Sequence, residues 1–236
     1  MRRTYMNFVG PEQAAQHVVK TVAVIDVSGS MDDPIRGELA GGRKNCSRLD
    51  AAREGIANLL AEKKRVRPQD HLGVIGFSGK AYPICPLTSV QDDRAIRRAI
   101  DKLVTHGSTD FAVGLALARE WFDAAAGQPK QGLLQLIFSA GNAAPTPGGG
   151  ASFVGHVVML SDGHNNSGDP RSIATGLKQS GVVIDCIGVA NSPNEVDDLL
   201  REIASPGADG TPRYRFIGDA QSLISDFRKL ASLQII

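Results

Sequence analysis

Apolar positions along this chain fall into two kinds of run, and the two kinds alternate. Short continuous runs rich in β-branched residues occur at Thr21–Ile25, Leu72–Phe77, Val154–Ser161 and Val182–Val189, with a shorter one at Tyr214–Ile217. Runs with few polar interruptions predict strands covered on both faces. Between them lie segments whose apolar residues recur at helical spacing. Leu49, Ala52, Ile56, Leu59 and Leu60 give Arg48–Lys64 one apolar face, and Ile96, Ile100 and Leu103 do the same for Gln91–Leu103. Further helices are predicted over Asp110–Ala125, Pro170–Ser180, Asn194–Ala204 and Asp219–Leu233. Ser78-Gly79-Lys80 is too short for a helical crossover, so Ala81–Leu87 returns as an antiparallel edge strand, where Pro83 and Pro86 are tolerated. The alternation predicts an α/β fold with a mostly parallel sheet and helices on both faces.

The polar residues at the strand ends carry the chemistry. Asp26-Val27-Ser28-Gly29-Ser30 directly follows the first strand, on a turn that Gly29 makes easy. One carboxylate and two hydroxyls at i, i+2 and i+4 are hard oxygen ligands of the kind Mg²⁺ prefers. Gly107-Ser108-Thr109-Asp110 opens a helix, and Ser161-Asp162-Gly163 closes the Val157–Leu160 strand segment. Turn and cap chemistry accounts for any one of these groups alone. The three together, each at a strand or helix end, form a pattern.

Asp-x-Ser-x-Ser, a distant Thr and a later Asp resemble the metal-ion-dependent adhesion site of the von Willebrand factor A family, in its bacterial-type, stand-alone form. The resemblance covers about residues 17 to 232. It implies a Rossmann-like sheet of order 3-2-1-4-5-6, with a ligand site at the switch point beyond the carboxyl ends of the strands. It implies that Ser28 and Ser30 ligate the metal directly, that Thr109 does so in the ligand-bound state, and that Asp26 and Asp162 act largely through coordinated waters. The implied ion is Mg²⁺, with Mn²⁺ or Ca²⁺ as substitutes. Hydroxyl ligands leave its charge poorly neutralised, so an open position attracts an Asp or Glu of a partner protein. The resemblance thus implies a binding module or adaptor and not an enzyme, in the company of AAA-type ATPases, kinases or phosphatases.

The same residues bear on other chemistries. A metal-assisted phosphoester hydrolase needs a nucleophile or positioned base near the ion, for which His164 and Asp110 are the candidates. Asp110 reads equally as a helix N-terminal acid or as an outer anchor of the site. His164 and His106 read as loop residues or as neighbours of the site. Gly73–Lys80 has the wrong spacing for a phosphate-binding loop and precedes a strand, and Ser28-Gly29-Ser30 is not a nucleophile elbow. A net charge of +1, with no basic aromatic stripe, argues against nucleic acid.

The 236 residues suit one well-cored domain: an arm over 1–16, then a domain over 17–236 with insertions at about 31–47 and 128–153. The first insertion leaves on the metal face, as either a partner-selecting rim or a mobile linker. The second leaves at the opposite end of the sheet, and its apolar run Leu133–Phe138 either docks a partner or packs on the domain itself. Cys46, Cys85 and Cys186 form no Cys-x-x-Cys pair and read as reduced thiols, the latter two in the core. No apolar run reaches the ~18 residues of a bilayer span. Arg2-Arg3 lacks the apolar segment of an export signal, so the expected location is cytoplasmic, and the sequons at Asn45 and Asn165 carry no weight.

Overall fold

The computed structural model describes residues 17–127, 153–196 and 198–232. The 1–16 arm and almost all of the 128–153 insertion lie outside the described residues. The chain runs β1 (Val18–Asp26), α1 (Arg48–Val66), β2 (His71–Phe77), β3 (Ala81–Ser89), α2 (Asp93–Ile100) and α3 (Phe111–Ala125). It continues through β4 (Phe153–Ser161), α4 (Arg171–Gln179), β5 (Val183–Val189), α5 (Leu199–Ile203), β6 (Tyr214–Ile217) and α6 (Ala220–Ser232). The six strands form one sheet of order β3-β2-β1-β4-β5-β6, as expected, in which every pair is parallel except β2–β3.

The strand composition explains the layers. Along β1, Ala23 and Ile25 enter one core with α1, α2 and α6, while Val22 and Val24 enter a second with α3, α4 and α5. Both faces are covered, so β1 is apolar at successive positions. The helices approach closely where side chains vanish: a Cβ on Gly114 of α3 would lie 2.8 Å from Val24 Cγ1. β3 takes the edge, where Pro83 and Pro86 break no central ladder, and a register shift in its pairing to β2 accommodates them.

Two helices differ from expectation. The Gln91–Leu103 helix is shorter, because Asp92 caps Ala95 N and the chain tightens into turns after Ile100 that bring Leu103 into the core. The Asn194–Ala204 helix is split into a 3₁₀ turn, Pro193–Glu195, and α5. Val196 is extended and buried between them, so tertiary burial overrides helical propensity there.

The 31–47 segment is anchored to the domain. Met31, Ile35, Leu39 and Cys46 are buried in the α1–α6 core, Pro34 bridges Ser47, and Ala220 N donates to Arg36 O at the start of α6. Met31, Ile35 and Leu39 recur every fourth residue, yet Pro34 and the glycines of this polar stretch keep the chain out of an α-helix, and it is shaped by 3₁₀ turns instead. All three cysteines are buried and free. Among the described residues no helix is long and apolar enough to cross a membrane.

Candidate functional site

β1 and β4 lie side by side at the centre of the sheet, and their crossover connections leave on opposite sides. Their carboxyl ends therefore open a crevice at the point where strand order reverses. Asp26 ends β1 and Ser161 ends β4, so the Asp26–Ser30 and Ser161–Gly163 motifs meet there.

The contacts form a continuous chain. Ser28 Oγ lies 3.2 Å from Ser30 Oγ, and Ser30 Oγ donates to Asp162 Oδ1 at 2.8 Å. Asp26 Oδ1 accepts from Ser28 N at 2.7 Å and Asp26 Oδ2 from the Ser161 hydroxyl. Asp26, Ser28, Thr109 and Asp162 are all buried. Thr109 joins through its backbone: Gly107 O accepts from Gly29 N, Asn166 N donates to Thr109 O, and Thr109 N donates to Asn166 Oδ1. Gly107 turns this loop at φ +75°, a conformation that side chains disfavour. The structure thus gathers four of the five sequence-predicted side chains into one hydrogen-bonded set and seats the loop of the fifth against it.

The electrostatics are those of under-compensated acids. Burial is the largest influence on Asp26 and lifts its carboxyl to about 6, against its hydrogen bonds from Ser161 and Ser28, and the Asp162 charge adds to the lift. Asp162 is also raised, burial outweighing the stabilisation its charge receives from Arg48 and Ser30. Both raised carboxyls are poised to gain from an added positive charge. Hydroxyl and carboxylate oxygens converge here, and among the described residues no group of three or more His, Cys, Asp or Glu is placed to hold a metal. The donors thus suit a hard ion held partly by hydroxyls.

Sequence reasoning missed four participants. Ser161 sits in the Ser-Asp-Gly turn and donates its hydroxyl to Asp26, a partner 135 positions away. Arg48 donates through Nη1 to Asp162 Oδ2 at 2.7 Å. An arginine at the first position of a helix opposes the helix dipole, and that oddity was its one legible signal. Asn165 and Asn166 accept from Phe111 N and Thr109 N and so cap α3 from the β4 loop, a long-range role that local pattern does not reveal.

The remaining candidates separate. Asp110 is the N-cap of α3: Ala112 N donates to its Oδ1 and Ser167 Oγ to its Oδ2. Each oxygen thus accepts a bond within the capping arrangement, which favours the cap among its two readings. His106 Nδ1 lies 3.0 Å from Val104 O and its ring sits edge-on to Tyr82. His164 is exposed on the β4 loop.

A Rossmann-like sheet with a hydroxyl–carboxylate crevice at its switch point defines a class of ligand-binding α/β domain. Residues 21–229 match the von Willebrand factor type A domain, and the chain belongs to that family. Domains of this family are typically metal-dependent modules for binding protein partners, with a divalent ion at the adhesion site. The chain is 27% identical over 215 residues to the protein YfbK of Escherichia coli K12, a match covering 89% of this chain and 31% of YfbK. It therefore spans less than a third of that relative's length. Its fold is similar to a von Willebrand factor type A structure from Catenulispora acidiphila (TM-score 0.64, 22% identity, 93% of this chain and 43% of that one). It is likewise similar to proximal thread matrix protein 1 of the mussel byssus, solved with zinc in its adhesion-site motif (TM-score 0.60, 20% identity, 92% and 46%).

Proposed function

We propose that this domain captures a partner protein by offering it a divalent cation, Mg²⁺ by the hardness of the ligands, to which the partner adds an Asp or Glu. Ser28, Ser30 and Thr109 would hold the ion through their hydroxyls, and Asp26 and Asp162 through waters. The ion would supply an electrophilic anchor, and the chain's own residues do the rest: they shape the crevice, orient the hydroxyls and limit how much negative charge reaches the ion. The observation that carries this reading is the Ser28–Ser30–Asp162 oxygen chain at the switch point, beside a buried Asp26 whose carboxyl is raised to about 6. We further read the domain as a bacterial, cytoplasmic adaptor that serves an AAA-type ATPase, kinase or phosphatase system.

Titration calorimetry with Mg²⁺ and Mn²⁺ tests the metal. Asp26→Ala, Ser28→Ala and Thr109→Ala are each expected to weaken binding by about tenfold or more while circular dichroism stays native, the scale of losing one ligand or its oriented water. Unchanged affinity in Asp26→Ala would count decisively against the site. A pull-down with and without chelator tests the partner. A phosphomonoesterase assay with Mn²⁺, run on the wild type and on His164→Ala, separates this reading from a hydrolase: turnover that disappears with His164 would replace it.

A further inference from the structure

Arg48 is placed where two physical terms oppose it. It occupies the first position of α1, where the helix dipole disfavours a cation, and its side chain is only 5% exposed. Acids from three other segments hold it there. Its Nη1 lies 2.7 Å from Asp162 and 3.8 Å from Asp33, and its Nη2 lies 3.2 Å from Glu195, while its buried Nε has no hydrogen-bond partner. Asp162 is fully buried, but Asp33 and Glu195 are 60% and 44% exposed. The same Asp162 receives the Ser30 hydroxyl on its other oxygen. The guanidinium is thus one carboxylate away from the hydroxyls that would hold the ion.

We propose that Arg48 is a tethered counter-cation that sets the domain's affinity for its metal, sharing Asp162 with the ion and so weakening ion binding. This rests on the metal reading above. A divalent cation entering the hydroxyl cluster meets a carboxylate already half neutralised, so it binds less tightly and keeps more of its charge for the partner's acid. In the ion-free protein the same guanidinium prevents Asp26 and Asp162 from facing each other uncompensated. Glu195 and Asp33 stand at the rim as the acids that draw the guanidinium outward when the ion arrives. Arg48 is a positioning residue here, since it acts on the ion through Asp162.

The experiment is Mn²⁺ titration by calorimetry on the wild type, Arg48→Met, Arg48→Lys and Glu195→Gln, with thermal melts in chelator and in saturating Mn²⁺. Arg48→Met is expected to bind Mn²⁺ about tenfold tighter, the order of one nearby charge in a partly screened site. Its gain in melting temperature on adding Mn²⁺ should exceed that of the wild type, and folding only with Mn²⁺ present is the extreme of the same result. Arg48→Lys keeps the charge and should stay within about threefold of the wild type. Equal or weaker binding in Arg48→Met overturns the proposal, because an arginine that only holds Asp162 in shape would weaken binding when lost. Equal tightening in Arg48→Lys also overturns it, because charge would not be the cause. If Arg48→Met folds under neither condition, Glu195→Gln carries the test: Mn²⁺ binding should weaken about threefold as the guanidinium loses its outward partner, and unchanged affinity overturns the proposal. A wild type that binds no Mn²⁺ refutes the metal reading itself. A wild type that binds it without tightening in Arg48→Met refutes only the role of Arg48.

Discussion

The two ends of the central strands bury acids in opposite ways. At the amino end, Asp70 accepts from Val19 N and Lys63 Nζ and pairs with Arg67, while Asp185 is bonded to His156 and Arg213, with Arg215 at 3.7 Å. Burial, the largest single influence, pushes the Asp185 carboxyl up, yet His156, Arg213 and Arg215 together bring it below the usual carboxylate range. At the carboxyl end, Asp26 meets hydroxyl and amide partners, and Asp162 has one guanidinium shared with two other acids, so both carboxyls stay raised. Acids that hold the fold together come with their cations supplied. Acids at the crevice are left short of positive charge, and that shortage is what a ligand can satisfy.

The largest effect expected from breaking this contrast is at the amino end. Asp70→Ala strands Lys63, whose side chain is 1% exposed, and should cost about 3–5 kcal/mol in urea unfolding. The loss should be the same with and without Mn²⁺, since Asp70 lies at the opposite end of the strands from the crevice.

The next effect is the pH dependence of the ion-free protein. Asp26 holds its proton more tightly folded than unfolded, so stability in chelator should fall as pH rises from about 3.8 to about 6, by roughly 2–3 kcal/mol. Asp26→Asn should flatten this limb, as read by urea midpoints across the range. Asp185 works with the opposite sign: its lowered carboxyl contributes stability above the usual carboxylate range that is lost as pH falls through it. Saturating Mn²⁺ should reverse the ranking near neutral pH, with Asp26→Asn more stable than the wild type in chelator and less stable in metal.

The smallest effect sharpens the boundary of the site. Asp110→Ala removes the α3 cap and should cost about 1 kcal/mol in melts, while calorimetric Mn²⁺ affinity changes by less than about threefold. A tenfold loss would move Asp110 from the cap into the metal site.

The elements and layers were legible because they depend on local pattern: period, turn residues and strand ends. The sheet order and the set of five candidate residues rest instead on the resemblance to the von Willebrand factor A family, and the structure brings four of those five side chains into one hydrogen-bonded set. The split before α5 was not, because Val196 is held extended by what it packs against rather than by its neighbours in sequence. The Arg48–Asp162 contact spans 114 positions and the Asn166 contact to Thr109 spans 57, distances over which a single sequence carries no pairing signal. The buried apolar residues of 31–47 were missed because Met31, Ile35 and Leu39 are spaced four apart in a stretch broken by Pro34, Gly37, Gly41 and Gly42, where the chain is shaped by 3₁₀ turns and isolated bridges rather than by a helix.

The asparagine stitching between the β4 loop and the start of α3 has a mechanical consequence. Thr109 both gives and receives a bond with Asn166, and Phe111 N is held by Asn165, so the two loops are clasped on either side of the threonine. A shift of Thr109 would break these bonds unless the segment around Asn165–Ser167 moved with it. The rim of the crevice is therefore built as one hydrogen-bonded piece from two loops far apart in sequence.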